Sequence, residues 1–172
     1  VLYTLRPARP EDEAFLFELY AGTRRAEMAG WGLEGALLDQ MLALQVAGRQ
    51  GTYRARFPGA DHHIILQEDR PVGRILVDRT GTALVLVDVA LVPAVRGAGI
   101  GTRLLQGLQA EAAERGCPLR LQVVLTNPAR RLYERLGFAT LGEDAVYAQM
   151  EWRPEVSSGD TLSRENDAGS DS

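Results

Sequence analysis

The stretch Leu84–Leu105, LVLVDVALVPAVRGAGIGTRLL, decides how the chain is read. From Ala83 to Val92 it is almost entirely Val, Leu and Ala, rich in β-branched residues and short enough for a buried strand. Pro93 has no N–H to give to a sheet ladder, so the strand is expected to end there. Arg96, Gly97, Ala98, Gly99, Ile100 and Gly101 follow directly, and Ile100, Leu104, Leu105, Leu108 and Ala112 then recur at helical spacing. A glycine-rich turn opening a helix presents free backbone N–H groups where the helix dipole also favours negative charge. Glycines let the backbone come close to a ligand, and Arg96 adds a positive charge. The turn suits a phosphate or pyrophosphate; taken alone, it is equally a tight entry into a helix.

Spacing separates the ligand classes that use such a turn. A Walker loop needs G-x-x-x-x-G-K-[ST], and this chain has no lysine: all nineteen basic residues are Arg. A dinucleotide site needs G-x-G-x-x-G with an acid about 20 positions on. Here the glycines fall at 97, 99 and 101, and the next apolar run, Leu119–Leu125, holds no acid. What fits is R-x-x-G-x-G, as Arg96, Gly99 and Gly101, preceded by Leu91, Val92 and Pro93.

A second pattern, N-x-x-x-x-x-Y-x-x-x-G-F, runs from Asn127 to Phe138. Asn127 reads as a helix N-cap and Pro128 as the first helical position. Ala129, Leu132, Tyr133 and Leu136 make the inner face, and Gly137 ends the helix. In isolation this is a well-capped short helix with Tyr133 in the core.

Together the two patterns resemble the two halves of the acetyl-CoA site in the GCN5-related N-acetyltransferases, the GNAT family. The likeness is specific over Val72–Phe138, and the order of elements from Tyr3 to Trp152 agrees with it. The resemblance implies an α/β GNAT fold: a mixed sheet with an antiparallel meander and a splayed parallel central strand pair, and helices on both faces. It implies transfer of acetyl from acetyl-CoA, a cosubstrate, to a primary amine of a small molecule or peptide, by direct attack in a ternary complex. Backbone groups of Leu91 and Val92 would pair with the pantetheine arm. Arg96, Gly97, Ala98, Gly99, Ile100, Gly101 and Thr102 would hold the pyrophosphate. Asn127 and Arg130 would add cofactor contacts, and Tyr133 would face the sulfur as the acid for the departing thiolate. Ribosomal-protein N-terminal acetyltransferases resemble the chain less well, because they carry an acid where Gln122 stands here. Two rival readings are a CoA-sensing module without turnover and a dinucleotide-binding domain, which the glycine spacing disfavours.

Asp88 is the one charge between Ala83 and Val92. A carboxylate in a buried strand is costly without a partner, so Asp88 is ion-paired with an arginine, exposed at a widened strand edge, or functional. On the last reading it takes the acceptor's proton, made a stronger base by apolar surroundings.

The remaining elements follow in order. A first strand around Tyr3 and Leu5 stops at Pro7. A helix starts at Pro10, with Glu11, Asp12 and Glu13 in its first turn, and is expected to end at Gly22. Residues 24–32 read as a connection. A second helix is expected from Leu33 to Ala47, with Leu37, Leu38, Met41, Leu42 and Leu44 towards the core, then a loop over residues 48–60. Ile64–Gln67, Val72–Asp78 and the central strand form the meander. The helix from Gly99 to Arg115 then crosses over to a parallel strand, Leu119–Leu125, and Ala145–Trp152 closes the sheet. Acceptor specificity is expected from the two irregular segments, with Arg24, Arg25, Glu27, Trp31, Tyr53, Arg54 and Arg56 as candidates. His62 and His63 have no further ligands at metal spacing, so no metal is expected.

Composition bounds these readings. The 172 residues allow one domain, residues 1–153, and 45% hydrophobic with 24% charged residues is ordinary for a soluble protein. The formal charge of −4 comes entirely from residues 154–172, with five acids and one arginine, which reads as an acidic disordered tail. The neutral remainder argues against nucleic-acid binding. No apolar run spans a membrane and no signal pattern opens the chain, so a cytoplasmic protein is expected, with a homodimer compatible with everything above. The lone Cys117 reads as structural and excludes an internal disulfide.

Overall fold

The computed structural model describes residues 2–155. The expected tail lies outside them, apart from Pro154 and Glu155. Seven strands form one sheet in the order β1-β2-β3-β4-β5-β7-β6. Strands β1 (Thr4–Pro7), β2 (Asp61–Gln67), β3 (Arg70–Asp78) and β4 (Leu84–Leu91) are antiparallel neighbours. Helix α3 (Ile100–Arg115) crosses to β5 (Leu119–Val124), which lies parallel to β4. Beyond the short helix α4 (Ala129–Arg135), β7 (Tyr147–Trp152) pairs antiparallel with β5, and β6 (Ala139–Glu143) takes the edge. The meander, the parallel crossover and the order of the helices are those expected. Strand β6 is an addition: all five of its residues are exposed, so no alternation marked it in the sequence. Among the described residues no helix is long and apolar enough to cross a membrane.

The main core lies between the sheet and α3. Ile100, Leu104, Leu105, Leu108 and Ala112 are buried, as their spacing requires. In β5, Leu119, Leu121 and Val123 point in while Arg120, Gln122 and Val124 point out, the two-residue period of a half-buried strand. Fully burying such a leucine or valine contributes roughly 1.5–3 kcal/mol.

Two helices run further than expected. The first, α1 (Glu13–Gly30), passes through Gly22, and α2 (Gly35–Arg56) passes through Gly48 and Gly51. An internal glycine costs a helix only about 1 kcal/mol. In α1 packing outweighs it: Met28, beyond Gly22, buries with Ala21 against Leu38 and Leu42 of α2 in a small core of their own. In α2 the turns beyond Gly48 are held by polar contacts, Arg49 to Tyr53 and to Asp88. The segments 24–32 and 48–60, read as irregular, are therefore helical over most of their length, and Leu37 and Leu44 stand exposed.

The centre of the sheet is where it opens. Strands β4 and β5 pair at only three positions, Leu84–Leu119, Val85–Arg120 and Leu86–Leu121. At that point the β3–β4 register slips, from Leu76–Asp88 to Val77–Leu86, leaving Val87 as a bulge. A bulge adds twist and bends its strand. Past it, β4 pairs only with β3 and β5 only with β7, so two strand edges face each other unpaired. Gly73 lets β3 hold the far end of β4 closely: a Cβ there would sit 2.3 Å from the Ala90 carbonyl oxygen.

Candidate active site

The opening between β4 and β5 offers backbone groups of alternate residues. The Val92 N–H donates to the Val72 carbonyl at 2.8 Å, so it faces β3. Leu91 faces the other way, its carbonyl accepting from Arg96 Nε at 3.0 Å. Backbone direction alternates along a strand, so Val89 joins Leu91 on the open side. Of the two residues expected to pair with an extended ligand, Leu91 lies on the open side with its carbonyl held by Arg96, and Val92 turns its N–H to β3.

The glycine turn follows at once. After a 3-10 turn over Pro93–Val95, residues Arg96 to Gly99 are exposed. Gly97 and Gly99 adopt φ of 77° and 88°, left-handed angles at which a Cβ is strained. A Cβ on either would meet nothing in the protein, so packing does not require glycine there; the backbone angle does, and a ligand lying on the turn would as well. No side chain caps α3, whose first helical bond is Arg103 N–H to the Gly99 carbonyl, at 3.1 Å. The N–H groups at the start of such a helix, here those of Ile100, Gly101 and Thr102, have no intrahelical partner. The Ile100 side chain is in the core, so this residue can offer only its backbone.

A cavity of about 670 Å³ occupies the opening and is lined from both faces of the sheet. Tyr133, Asn127, Asp88 and Gln122 all border it. Tyr133 is 7% exposed, its ring centroid 5.8 Å from that of Phe138. Burial pushes its phenol above the usual range, and the negative charge of Asp88 adds to that, so the hydroxyl keeps its proton at neutral pH. Asn127 Oδ1 accepts from the Ala129 N–H at 2.9 Å, a turn just ahead of the helix, whose N-cap position falls on Pro128 instead of the expected Asn127. Arg130 is not brought to the cavity: its guanidinium is taken up by Glu143 and Thr140 of β6, with Glu134 also near.

On the α2 side, Asp88 lies in a polar cluster rather than among apolar side chains. Arg74 holds one carboxylate oxygen through Nε at 2.8 Å and a terminal nitrogen at 2.6 Å. Arg49 holds the other at 2.9 Å. Arg49 is itself fixed by a hydrogen bond from Nε to the Tyr53 hydroxyl at 3.0 Å, and its guanidinium lies 5.2 Å from the Tyr20 ring centroid and 5.5 Å from that of Tyr53. Removing one partner from a buried ion pair of this kind leaves the other charged and stranded, which is costly. Asp88 is therefore ion-paired, with two arginines instead of one.

Of the acceptor-side candidates, Tyr53 and Arg56 border the large cavity, Arg24 a smaller adjoining pocket, and Arg54 a groove beside His62. Arg25 pairs with Glu18, Glu27 with Arg24, and Trp31 is 67% exposed; these three line none of the three. Arg49, Tyr20 and Arg74 escaped notice in the sequence. The available signal is the i, i+4 spacing of Arg49 and Tyr53, which has meaning only because the helix continues to Arg56.

Comparison with known proteins agrees with this geometry. A family model described as an acetyltransferase (GNAT) domain matches residues 58–140. An acetyltransferase of Agrobacterium fabrum is 32% identical over 123 residues, spanning 68% of this chain and 83% of that protein. The structure of PaiA N-acetyltransferase from Thermoplasma acidophilum in complex with coenzyme A aligns with 90% of this chain and 100% of its own, at 17% identity and a TM-score of 0.66. A structure described as histone acetyltransferase HPA2 and related acetyltransferase, from Corynebacterium glutamicum, aligns over 92% and 99%, at 21% identity and a TM-score of 0.64. At these identities, the two structures attest to the fold.

Proposed function

This chain belongs to the GNAT family of acetyltransferases, and from that membership we propose that it moves the acetyl group of acetyl-CoA to a primary amine by direct attack in a ternary complex. The observation that carries the reading is the three-residue pairing of β4 with β5, which leaves a strand-wide opening between an uncapped helix N-terminus and a protonated tyrosine. An extended pantetheine arm would complete the sheet there through Leu91 and Val89, as a peptide does when it adds a strand to an exposed edge. The N–H groups from Gly97 to Thr102, with Arg96, would hold the pyrophosphate, and Asn127 would contact the arm from β5.

With the thioester at the centre of the opening, the amine nitrogen attacks its carbonyl carbon. A backbone N–H on the open side of β4 stabilises the negative charge developing on oxygen. The C–N bond forms, the C–S bond breaks, and Tyr133 gives its proton to the departing sulfur. The proton lost by nitrogen leaves through the open cleft to water. Asp88, held by two guanidinium groups, acts as a positioning residue for Arg49 and Arg74 instead of taking that proton.

The test is calorimetry with acetyl-CoA followed by thiol release over a panel of amines. Tight binding with acceptor-dependent release is expected. Binding without release from any amine would leave a cosubstrate-binding module in place of a transferase.

A further inference from the structure

We propose that the acceptor is a small amine that also carries a carboxylate, of the amino-acid type, and that Arg49 is the residue that selects it. This rests on the amine-transfer reading above and names the substrate class. The adjoining pocket has a volume of about 250 Å³, below the range that fits drug-sized ligands and within reach of a single amino acid. It is bordered by Arg24, Arg49, Arg74 and Arg96, with Asp88 the one acid among its lining residues.

Two of these arginines are engaged elsewhere. Arg24 bonds Glu27 at 2.6 Å, and Arg96, bonded to the Leu91 carbonyl at the rim of the glycine turn, goes with the pyrophosphate in the reading above. That leaves Arg49 and Arg74 sharing one carboxylate, an excess of one positive charge. The two are unequally placed. Arg74 and Asp88 are 12% and 11% exposed at the side chain, a buried pair, whereas Arg49 is 40% exposed and faces the cleft. Tyr20 and Tyr53 hold it in one orientation. Its bonds to Tyr53 and Asp88 use two of the five N–H groups a guanidinium carries, leaving donors for a forked contact with a second carboxylate. An incoming carboxylate neutralises the cluster; a polyamine adds charge of the same sign to it. A pre-positioned arginine costs little side-chain entropy to use, which favours selectivity here over a mobile surface arginine.

The experiment uses the full chain with saturating acetyl-CoA and compares the common amino acids, their primary amides and spermidine by thiol release. Accepted amino acids are expected to exceed their amides in kcat/KM by about 10-fold to 10²-fold, the scale of exchanging a charge-assisted, forked contact for a neutral one. In Arg49→Met that ratio is expected to collapse towards one, and in Arg49→Lys, which keeps charge without the fork, to fall between. Equal turnover of acids and amides, a preference for spermidine, or an unchanged ratio in a folded Arg49→Met would overturn this inference while leaving amine transfer standing. Acetyl-CoA binding with no release from any amine would overturn both.

Discussion

The two sides of the opening are built from different materials. The proposed cofactor side is mostly backbone: N–H groups of one turn and one helix start, plus the edge of β4, nearly all within a continuous stretch from Val89 to Thr102, with Asn127 added from beyond β5. The proposed acceptor side is side chains from four separate elements: Tyr20 on α1, Arg49 and Tyr53 on α2, Arg74 on β3 and Asp88 on β4. A site made of backbone is written locally, because glycine spacing and a helix start fix where its N–H groups point. One made of side chains from distant elements exists only after the sheet and the two helices have packed. The first can bind one kind of ligand in many proteins; the second can change its ligand by a single substitution.

The contrast breaks first at Tyr133, which belongs to neither side. Tyr133→Phe is expected to lower kcat by about 10² or more with acetyl-CoA affinity little changed, the scale for losing a general acid. Unchanged kcat would make Tyr133 a packing residue against Phe138. On the cofactor side, Gly99→Val is expected to weaken acetyl-CoA binding at least tenfold by calorimetry. The φ of 88° is one that a β-branched residue adopts only at a cost of about 1–2 kcal/mol. Full affinity in a folded variant would move the pyrophosphate to another place.

Asp88→Asn sharpens the acceptor side. As a positioning residue, it is expected to raise the acceptor's KM severalfold at every pH, with the shape of the pH–rate profile kept. A loss of kcat concentrated at low pH and recovered at high pH would instead identify Asp88 as the base. The smallest effect concerns how the helices are tied to the sheet. Arg6 on β1 holds the Asp12 carboxyl, at the start of α1, down to about 2, through two bonds of 2.7 Å. A carboxylate lowered in the folded state contributes stability above its ordinary titration range, and that contribution is lost as pH falls through about 2. The Tm gap between wild type and Asp12→Asn is therefore expected to be widest near neutrality and to close on acidification. A gap that widened in acid would reverse the sign of the linkage.

How much could be read in advance follows the same division. The strand from Leu84, the turn at Arg96–Gly101, the helix to Arg115 and the short helix after Asn127 each announce themselves through period and punctuation within a few residues. The ends of α1 and α2 did not, because Gly22 and Gly48 are stop signals only in the absence of a partner. For Gly22 the partner comes from Met28 meeting Leu42, and for Gly48 from Arg49 meeting Asp88, contacts that exist only in the fold. The Asp88 cluster was half legible. Its unusual charge in an apolar strand showed that something must answer it, but nothing local said that Arg49, 39 residues earlier, would be one of its two partners.

The small core shared by α1 and α2 has a dynamic consequence. Among the described residues, it consists of Ala21, Met28, Leu38 and Leu42, against eighteen buried residues in the main core. The helix pair thus has its own low threshold for opening, and native-state hydrogen exchange is expected to release its amides well before those of β3 and β5. Such breathing would admit an acceptor and discharge an acetylated product without loosening the strands that grip the cosubstrate. Exchange as slow in α2 as in β5 would mean that the roof and the sheet open only together.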